Sequence, residues 1–311
     1  MTETASPASA PTDLAEAIRP PRNQWWDVWD QFKTHKGALV GMVVFVLILA
    51  FCFLGPFVWP HDWQALNPRA RNLSVSWTHP LGTDRLGRDI VAQLMQGGRI
   101  SLTVGLVAML LSILLGTLIG VLSGFFRWLD GPLMRLTDLF LALPILPLLL
   151  VMSLFLQPRL AGAFGNVMGM FLLIVTAIAI TSWMQTARIV RGEVLALKER
   201  EYVLAARSIG APPRRIIGRH ILPNVLSPVM VSATLMIATA IITESALSFL
   251  GMGFPSNYPT WGRLVADGVD RMQDAPSLSV LPGLLISLTV LSVNYIGDGL
   301  RDALDPRIRG R

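Results

Sequence analysis

Charge is the first thing this chain lacks. Only 15% of its 311 residues are Asp, Glu, Lys or Arg, where soluble domains carry about 25%. Lysine is rarer still: Lys33, Lys36 and Lys198 are the whole set, and none follows a glycine. The chain therefore has no G-x-x-x-x-G-K-[ST] loop to cradle a nucleotide. A single cysteine, Cys52, excludes an internal disulfide. The four histidines, His35, His61, His79 and His220, are scattered across the loops, without H-E-x-x-H spacing or a cysteine partner. That pattern argues against a metal centre and against a Ser/His/Asp hydrolase. Residues 1–21 lack the apolar core of a cleaved signal peptide, so the first apolar run is expected to stay as an anchor.

Apolar sequence is what the chain has in excess. It is 52% hydrophobic, with a mean hydropathy of +0.55. Several runs approach or exceed the ~20 residues that cross a bilayer. The reading is an all-α integral membrane protein with six transmembrane helices, near 37–59, 101–125, 133–156, 166–186, 224–250 and 278–298. A loop over 60–100 holds Pro60, Pro68, Pro80, Gly82 and Gly87, so turns and a short helix near 88–97 are expected there. The net charge of +6 raises nucleic acid as a partner. The basic residues sit between apolar runs, however, and follow topology rather than a groove-binding face, so lipid is expected instead. With the N-terminus inside, eighteen of the 26 Lys/Arg residues fall in inner segments and eight in outer ones. This bias puts both termini in the cytoplasm.

The ends and the spans carry further signals. Residues 1–22 are small, proline-rich and expected to be disordered. Trp25, Trp29 and Phe32 then recur at helical spacing beside Lys33 and Lys36. Either this helix lies in the membrane interface or its aromatic face packs on the protein. Ser112, Gly116, Gly120 and Gly124 place a small residue at every fourth position of the second span, a stripe for close helix approach. Whether the approaching helix belongs to this chain or another stays open. Pro144 and Pro147 should kink the third span. Arg135 and Asp138, three apart, suit a pair on one helix face. In the fifth span Ser232, Thr239 and Thr243 share one face, and Ser227, Thr234 and Ser245 nearly the opposite one. One stripe is expected to line a watery path and the other to pack. Glu244 is the sole acid well inside an apolar run, readable as a functional acid or as a capped structural one. The spans lack the buried acid/base network of an ion-driven carrier.

Between the fourth and fifth spans lies a basic island, residues 187–223. Glu201 to Ser208 reads as a helix, Gly210 as its left-handed stop, and Pro212-Pro213 as the opening of a second short helix. The text Ala205-Ala206-x-x-x-Gly210, with Leu222-Pro223 twelve residues on, resembles the coupling loop of ABC-importer permeases. The resemblance extends to His79-Pro80-Leu81-Gly82-Thr83-Asp84, Gly87-Arg88-Asp89, Gly98-Arg99-Ile100-Ser101-Leu102, Met134-Arg135-Leu136-Thr137-Asp138, Ala187-Arg188, Arg191-Gly192-Glu193, Leu247-Ser248-Phe249-Leu250-Gly251, Trp261-Gly262 and Gly297 to Pro306. These pieces cover about residues 37–307 and are most similar to the second permease of dipeptide, oligopeptide and nickel importers. One departure is Leu204, where the general motif has Glu; the acid here is Glu201.

The resemblance implies a type I ABC-importer transmembrane domain with a cytoplasmic coupling helix. It divides the chain into an N-terminal segment with its interfacial helix (1–36), a first span (37–59), an outer loop (60–100), a transmembrane core (101–300, coupling loop 187–223) and a C-terminus (301–311). It implies no catalytic residue and no cofactor in this chain, with ATP and Mg bound by two partner ATPase subunits. A second, homologous permease and an extracytoplasmic solute-binding protein complete the assembly, in a bacterial inner membrane. Glu201, Ala205, Ala206, Arg207 and Gly210 are the expected ATPase-coupling residues; Ser232, Thr239 and Thr243 the expected substrate path. Peptides are the expected cargo, nickel or another small solute the alternative, and an ion-driven carrier a distant one.

Overall fold

The computed structural model describes residues 24–304. The expected disorder of 1–22 and the end of the C-terminal motif, Asp305-Pro306, lie outside the described residues. Twelve α-helices follow in order among them. They are α1 (Gln24–Thr34), α2 (Lys36–Phe53), α3 (Gly55–Val58), α4 (Ile90–Phe125), α5 (Arg127–Ala142) and α6 (Ile145–Phe164). Then come α7 (Asn166–Lys198), α8 (Glu201–Ser208), α9 (Pro213–Ile216), α10 (Leu222–Phe249), α11 (Trp261–Val269) and α12 (Ser277–Leu304). Six stretches are long and apolar enough to cross a membrane: Lys36–Phe53, Ile90–Phe125, Pro147–Phe164, Asn166–Lys198, Pro213–Phe249 and Ser277–Leu304.

Several boundaries differ from the sequence expectation, each for a local reason. The first span stops at Phe53, where Leu54 caps it and Pro56 opens the single turn of α3. The second begins eleven residues early. Asp89 caps α4 by accepting from the Ala92 N–H at 2.8 Å, so the expected short outer helix and the span are one rod. The third span is displaced most. Leu143, held extended by the proline after it, ends α5 at Ala142, and the crossing helix is α6. The second short helix of the basic island is not separate either. α9 runs through a π-helical turn, Ile217–Ile221, straight into α10. Pro223 lacks an N–H and crowds the carbonyl one turn back, which favours such local widening.

α4 and α7 form the most extensive helix pair in the fold. A Cβ on Gly116 would sit 2.7 Å from the Trp183 carbonyl, and one on Gly120 2.7 Å from the Ala187 carbonyl and from Val190 Cβ. One on Gly124 would meet Val194 Cβ at 2.7 Å. The stripe therefore serves this chain's own α7, and the two backbones touch because no side chain stands between them. At the C-terminal end of α4 the Lys198 ammonium donates to the Gly124 carbonyl, 2.9 Å away, and so covers a helix terminus.

α1 splits its aromatics. Phe32 is buried with Val28 against Ala38 and Ala303, while Trp26 and Trp29 stay exposed; Trp25 has no described side-chain placement. The packing reading of this helix holds for the face of Val28 and Phe32, and the indoles of Trp26 and Trp29 lie on the other, exposed face.

Gly120→Leu should drive a side chain into the α7 backbone and destabilise the chain by roughly 3 kcal/mol. Gly283→Leu, where a Cβ meets nothing within 4 Å, should be near neutral. Size-exclusion recovery of the detergent-purified permease after graded heating checks the contrast.

Candidate functional site

The basic end of the molecule is built on α8. Val203 and Ala206 are buried against Val121, Val190, Val194, Ile216, Ile221 and Val225. The opposite face exposes Glu201, Leu204, Ala205 and Ser208, and Ile209 follows at 86% exposure. The helix ends in a two-bond stop: Ala211 N–H donates to the Ala206 carbonyl and Gly210 N–H to the Arg207 carbonyl, both at 3.0 Å. This is the Schellman pattern, which needs a left-handed residue at its centre. Gly210 supplies it at φ +79°, with open space around its Cα. Glu201 lies in the first turn and Arg207 in the last, each with the sign that the helix dipole favours.

The five expected coupling residues therefore do not form one surface. Glu201, Ala205, Arg207 and Gly210 are exposed, whereas Ala206 faces inward as part of the seat of the helix. Leu204 and Ile209 were missed as surface residues, and Leu204 was noted only as a departure from the motif. Its exposure on a helix whose inner face was already legible as Val203 and Ala206 was the available signal.

Two ion pairs brace this end. Asp130 of α5 receives Arg191, with Nη2 2.7 Å from Oδ2, and Asp138 receives Arg188. The expected Arg135–Asp138 pair does not form; Arg188 takes the carboxylate from the neighbouring helix and Arg135 stays exposed.

Deeper in, Ser232, Thr239 and Thr243 open on one cavity of about 240 Å³, together with Thr181, Ser182 and Gln185 of α7. Each of the three α10 hydroxyls donates to its own helix, to the carbonyls of Pro228, Leu235 and Thr239 at 2.8, 2.7 and 2.8 Å. Their protons are thus committed, and what remains for the cavity is oxygen lone pairs. The wall is uncharged. The other stripe packs: Thr234 lies against Gly297, and Ser245 is buried against Gly262.

Glu244 is fully buried and belongs to a polar knot. Ser101 Oγ donates to one carboxylate oxygen at 2.7 Å and Ser248 Oγ to the other at 2.6 Å. The Trp261 N–H points to Ser101 Oγ at 3.3 Å, and the Trp261 indole donates to the Leu94 carbonyl at 3.0 Å. α4, α10 and α11 meet here, and the capped, structural reading of Glu244 fits this geometry.

At the other end, residues 79–93 fold around two carboxylates. Asp84 accepts from the N–H groups of Leu86 and Arg88, both at 2.8 Å, from Arg88 Nε at 2.7 Å and from Gln93 at 2.8 Å. Burial pushes its pKa up, but the Arg88 and Gln93 hydrogen bonds and the Arg88 charge outweigh that and hold it below the ordinary 3.8. Asp89 accepts from Trp59 Nε1 at 3.0 Å and lies 2.8 Å from His79 Nδ1. His61 stacks near His79, with ring centroids 4.5 Å apart. The histidines that looked scattered in sequence therefore include a close pair.

Six apolar helices, a short exposed helix clamped at one end and an uncharged cavity between α7 and α10 define an integral membrane transport subunit. Residues 90–310 match the family described as the inner membrane component of binding-protein-dependent transport systems, and residues 23–74 match the N-terminal transmembrane domain of oligopeptide transport permease C. The chain belongs to this family of ABC-transporter permeases. It is 37% identical to the oligopeptide transport permease OppC of Bacillus subtilis over 305 residues, covering 97% of this chain and 96% of that one. It is 36% identical to the dipeptide permease DppC of Alkalihalophilus pseudofirmus over 300 residues, 96% and 94% of the two chains. Against the glutathione permease GsiD of Pectobacterium atrosepticum it is 35% identical over 305 residues, 97% and 96%. Among solved structures, the inward-facing methionine transporter MetNI shares the fold at a TM-score of 0.55 and 19% identity, over 68% of this chain and 97% of that one.

Two outcomes are expected here. Glu244→Leu strands the Ser101 and Ser248 hydroxyls, at about 1–3 kcal/mol each, while Glu244→Gln keeps one acceptor. Thermal stability should fall in the order wild type, Gln, Leu, and uptake per folded complex should survive in Gln. For Asp84, a depressed pKa means that its contribution is complete above 3.8 and is lost only as pH falls below that value. Hydrogen-exchange protection factors of residues 84–93, taken relative to intrinsic exchange at each pH, should be unchanged from pH 7 to about 5 in wild type, and lower at both pH values in Asp84→Asn.

Proposed function

We propose that this chain is one of two homologous permease subunits of an ATP-driven peptide importer in a bacterial inner membrane, with both termini in the cytoplasm. The observation that carries the coupling role is α8: a helix too short to span anything, fixed by its inner face and its glycine stop, and presenting Leu204, Ala205 and Ile209 outward. Apolar side chains held at the basic end call for a protein surface to cover them. In this reading that surface is a cleft on an ATP-binding subunit, one for each permease. Glu201, Ala205 and Arg207 meet the cleft, while Ala206 and Gly210 set the shape of the helix that enters it. ATP and Mg are bound by those subunits, and this chain supplies no catalytic residue and no cofactor to the transport cycle.

The mechanism follows from stiffness. Closure of the ATP-binding pair moves α8, and α8 rests on Val190 and Val194 of α7 and on Val225 of α10. These two helices also wall the cavity of Ser232, Thr239 and Thr243. A displacement at the basic end therefore changes the spacing of the path without needing a separate linkage. A solute-binding protein delivers the cargo at the opposite end. Peptide cargo is supported by the oligopeptide, dipeptide and glutathione permeases to which the chain is similar. The uncharged wall suits it as well: oxygen acceptors meet peptide N–H groups, and no fixed charge selects among side chains.

The test is the complex reconstituted with its ATP-binding subunits and binding protein in proteoliposomes. Left-handed backbone costs a non-glycine residue about 1–2 kcal/mol, and valine adds β-branching. Gly210→Val should assemble and hydrolyse ATP at the basal rate but lose roughly 10-fold in peptide uptake, the factor about 1.4 kcal/mol represents. Gly210→Asn, which tolerates this conformation, should stay near wild type. Wild-type uptake and peptide-stimulated hydrolysis in Gly210→Val would overturn the coupling role.

A further inference from the structure

We propose that His61, His79 and Asp89 form a binding site for one divalent transition-metal ion of the zinc type, joining the end of the first span to the start of the second. Each residue offers a ligand atom within 4.8 Å of the other two. Three such atoms around an ion of this class stand about 3.4 Å apart, given bonds of ~2.1 Å. No pair has to close by more than about 1.4 Å, within reach of small side-chain rotations.

The donor chemistry fits. His79 Nδ1 and Asp89 Oδ2 are already 2.8 Å apart and share a proton. A metal ion takes the place of that proton between the same two atoms, and the imidazole carries its proton on Nε2 instead, so none is lost. His61 Nε2 faces the Thr78 carbonyl at 2.9 Å. A carbonyl only accepts, so Nε2 bears the hydrogen and the Nδ1 lone pair is available to a metal. Two neutral imidazoles and one carboxylate are the borderline nitrogen and oxygen ligands this ion class prefers.

The site is also supported from behind. Asp89 is buried, and its other oxygen accepts from Trp59 Nε1 at 3.0 Å and from the Ala92 N–H at 2.8 Å. The carboxylate is thereby locked in place, the outer-shell orientation that metal sites depend on. A cavity of about 280 Å³ lined by Trp59, His61, Asp62, Gln96 and Arg99 adjoins it and can admit the water that completes a three-ligand site. Asp62 and Arg99 on that cavity balance one another in sign. Loop geometry built this site; His61 and His79 are eighteen positions apart, outside any short metal-binding spacing.

The experiment uses the full complex, purified through a tag without histidine, stripped with chelator and placed in nanodiscs. Zn²⁺ is titrated against a chromophoric competitor, and Co²⁺ is followed by its visible ligand-field bands. Wild type should take up one more ion per permease than His61→Ala, with at least a 10-fold affinity loss in the variant. Zn²⁺ should also slow proteolysis between residues 59 and 89 in wild type and not in His61→Ala. His61→Ala removes a single hydrogen bond to a carbonyl, so its folding is a fair control; His79→Gln repeats the measurement on the second imidazole. Equal ion uptake by wild type and His61→Ala, or Co²⁺ spectra without nitrogen-ligand bands, would overturn the site.

Discussion

The approach of α4 to α7 is the constraint on which the other parts rest. In a bilayer the hydrophobic effect does not press helices together, because lipid is as apolar as leucine; close van der Waals contact must do it. Gly116, Gly120 and Gly124 allow that contact by leaving carbonyls and Cβ atoms of α7 directly against the α4 backbone. With α7 held there, its Thr181, Ser182 and Gln185 face α10 across the cavity. The same helix carries Val190 and Val194 to the underside of α8. One packing contact thus sets both the width of the cavity and the position of the exposed helix.

Polar groups then fasten the ends, where apolar packing cannot distinguish one register from another. Near the first end, Arg188 and Arg191 draw α5 onto α7 through Asp138 and Asp130. Toward the other, Glu244 collects hydroxyls from α4 and α10 and, through Ser101, the backbone of α11. A buried carboxylate with two short donors is costly to break and hard to satisfy any other way. That makes it a register pin, and it accounts for Glu244 without giving it a part in carrying substrate.

The legible and the hidden features divide by how local their causes are. The six spans were readable because each is a long apolar run. The small-residue stripe and the glycine stop were readable because sterics act on the residue itself. Errors arose where two local signals competed. Pro144 reads as a kink inside a span, yet the extended Leu143 before it ends α5, and the crossing helix begins beyond. Pro212-Pro213 reads as the opening of a separate short helix, yet a π-helical turn carries α9 straight into α10. Arg135 and Asp138 have ideal spacing on one helix, but a guanidinium from a different helix reached the carboxylate.

By itself, the sequence determined the membrane class of this protein, the number of its spans and the position of the turn at Gly210, because length, hydropathy and backbone sterics are properties of short segments. Only the tertiary structure decided which helix meets the glycine stripe, that Ala206 faces inward while Leu204 and Ile209 face out, that Ser232, Thr239 and Thr243 look onto a cavity, and that His61 meets His79 and Asp89. Each of these depends on which surfaces come to lie opposite one another, and segments far apart in the chain carry no local record of that.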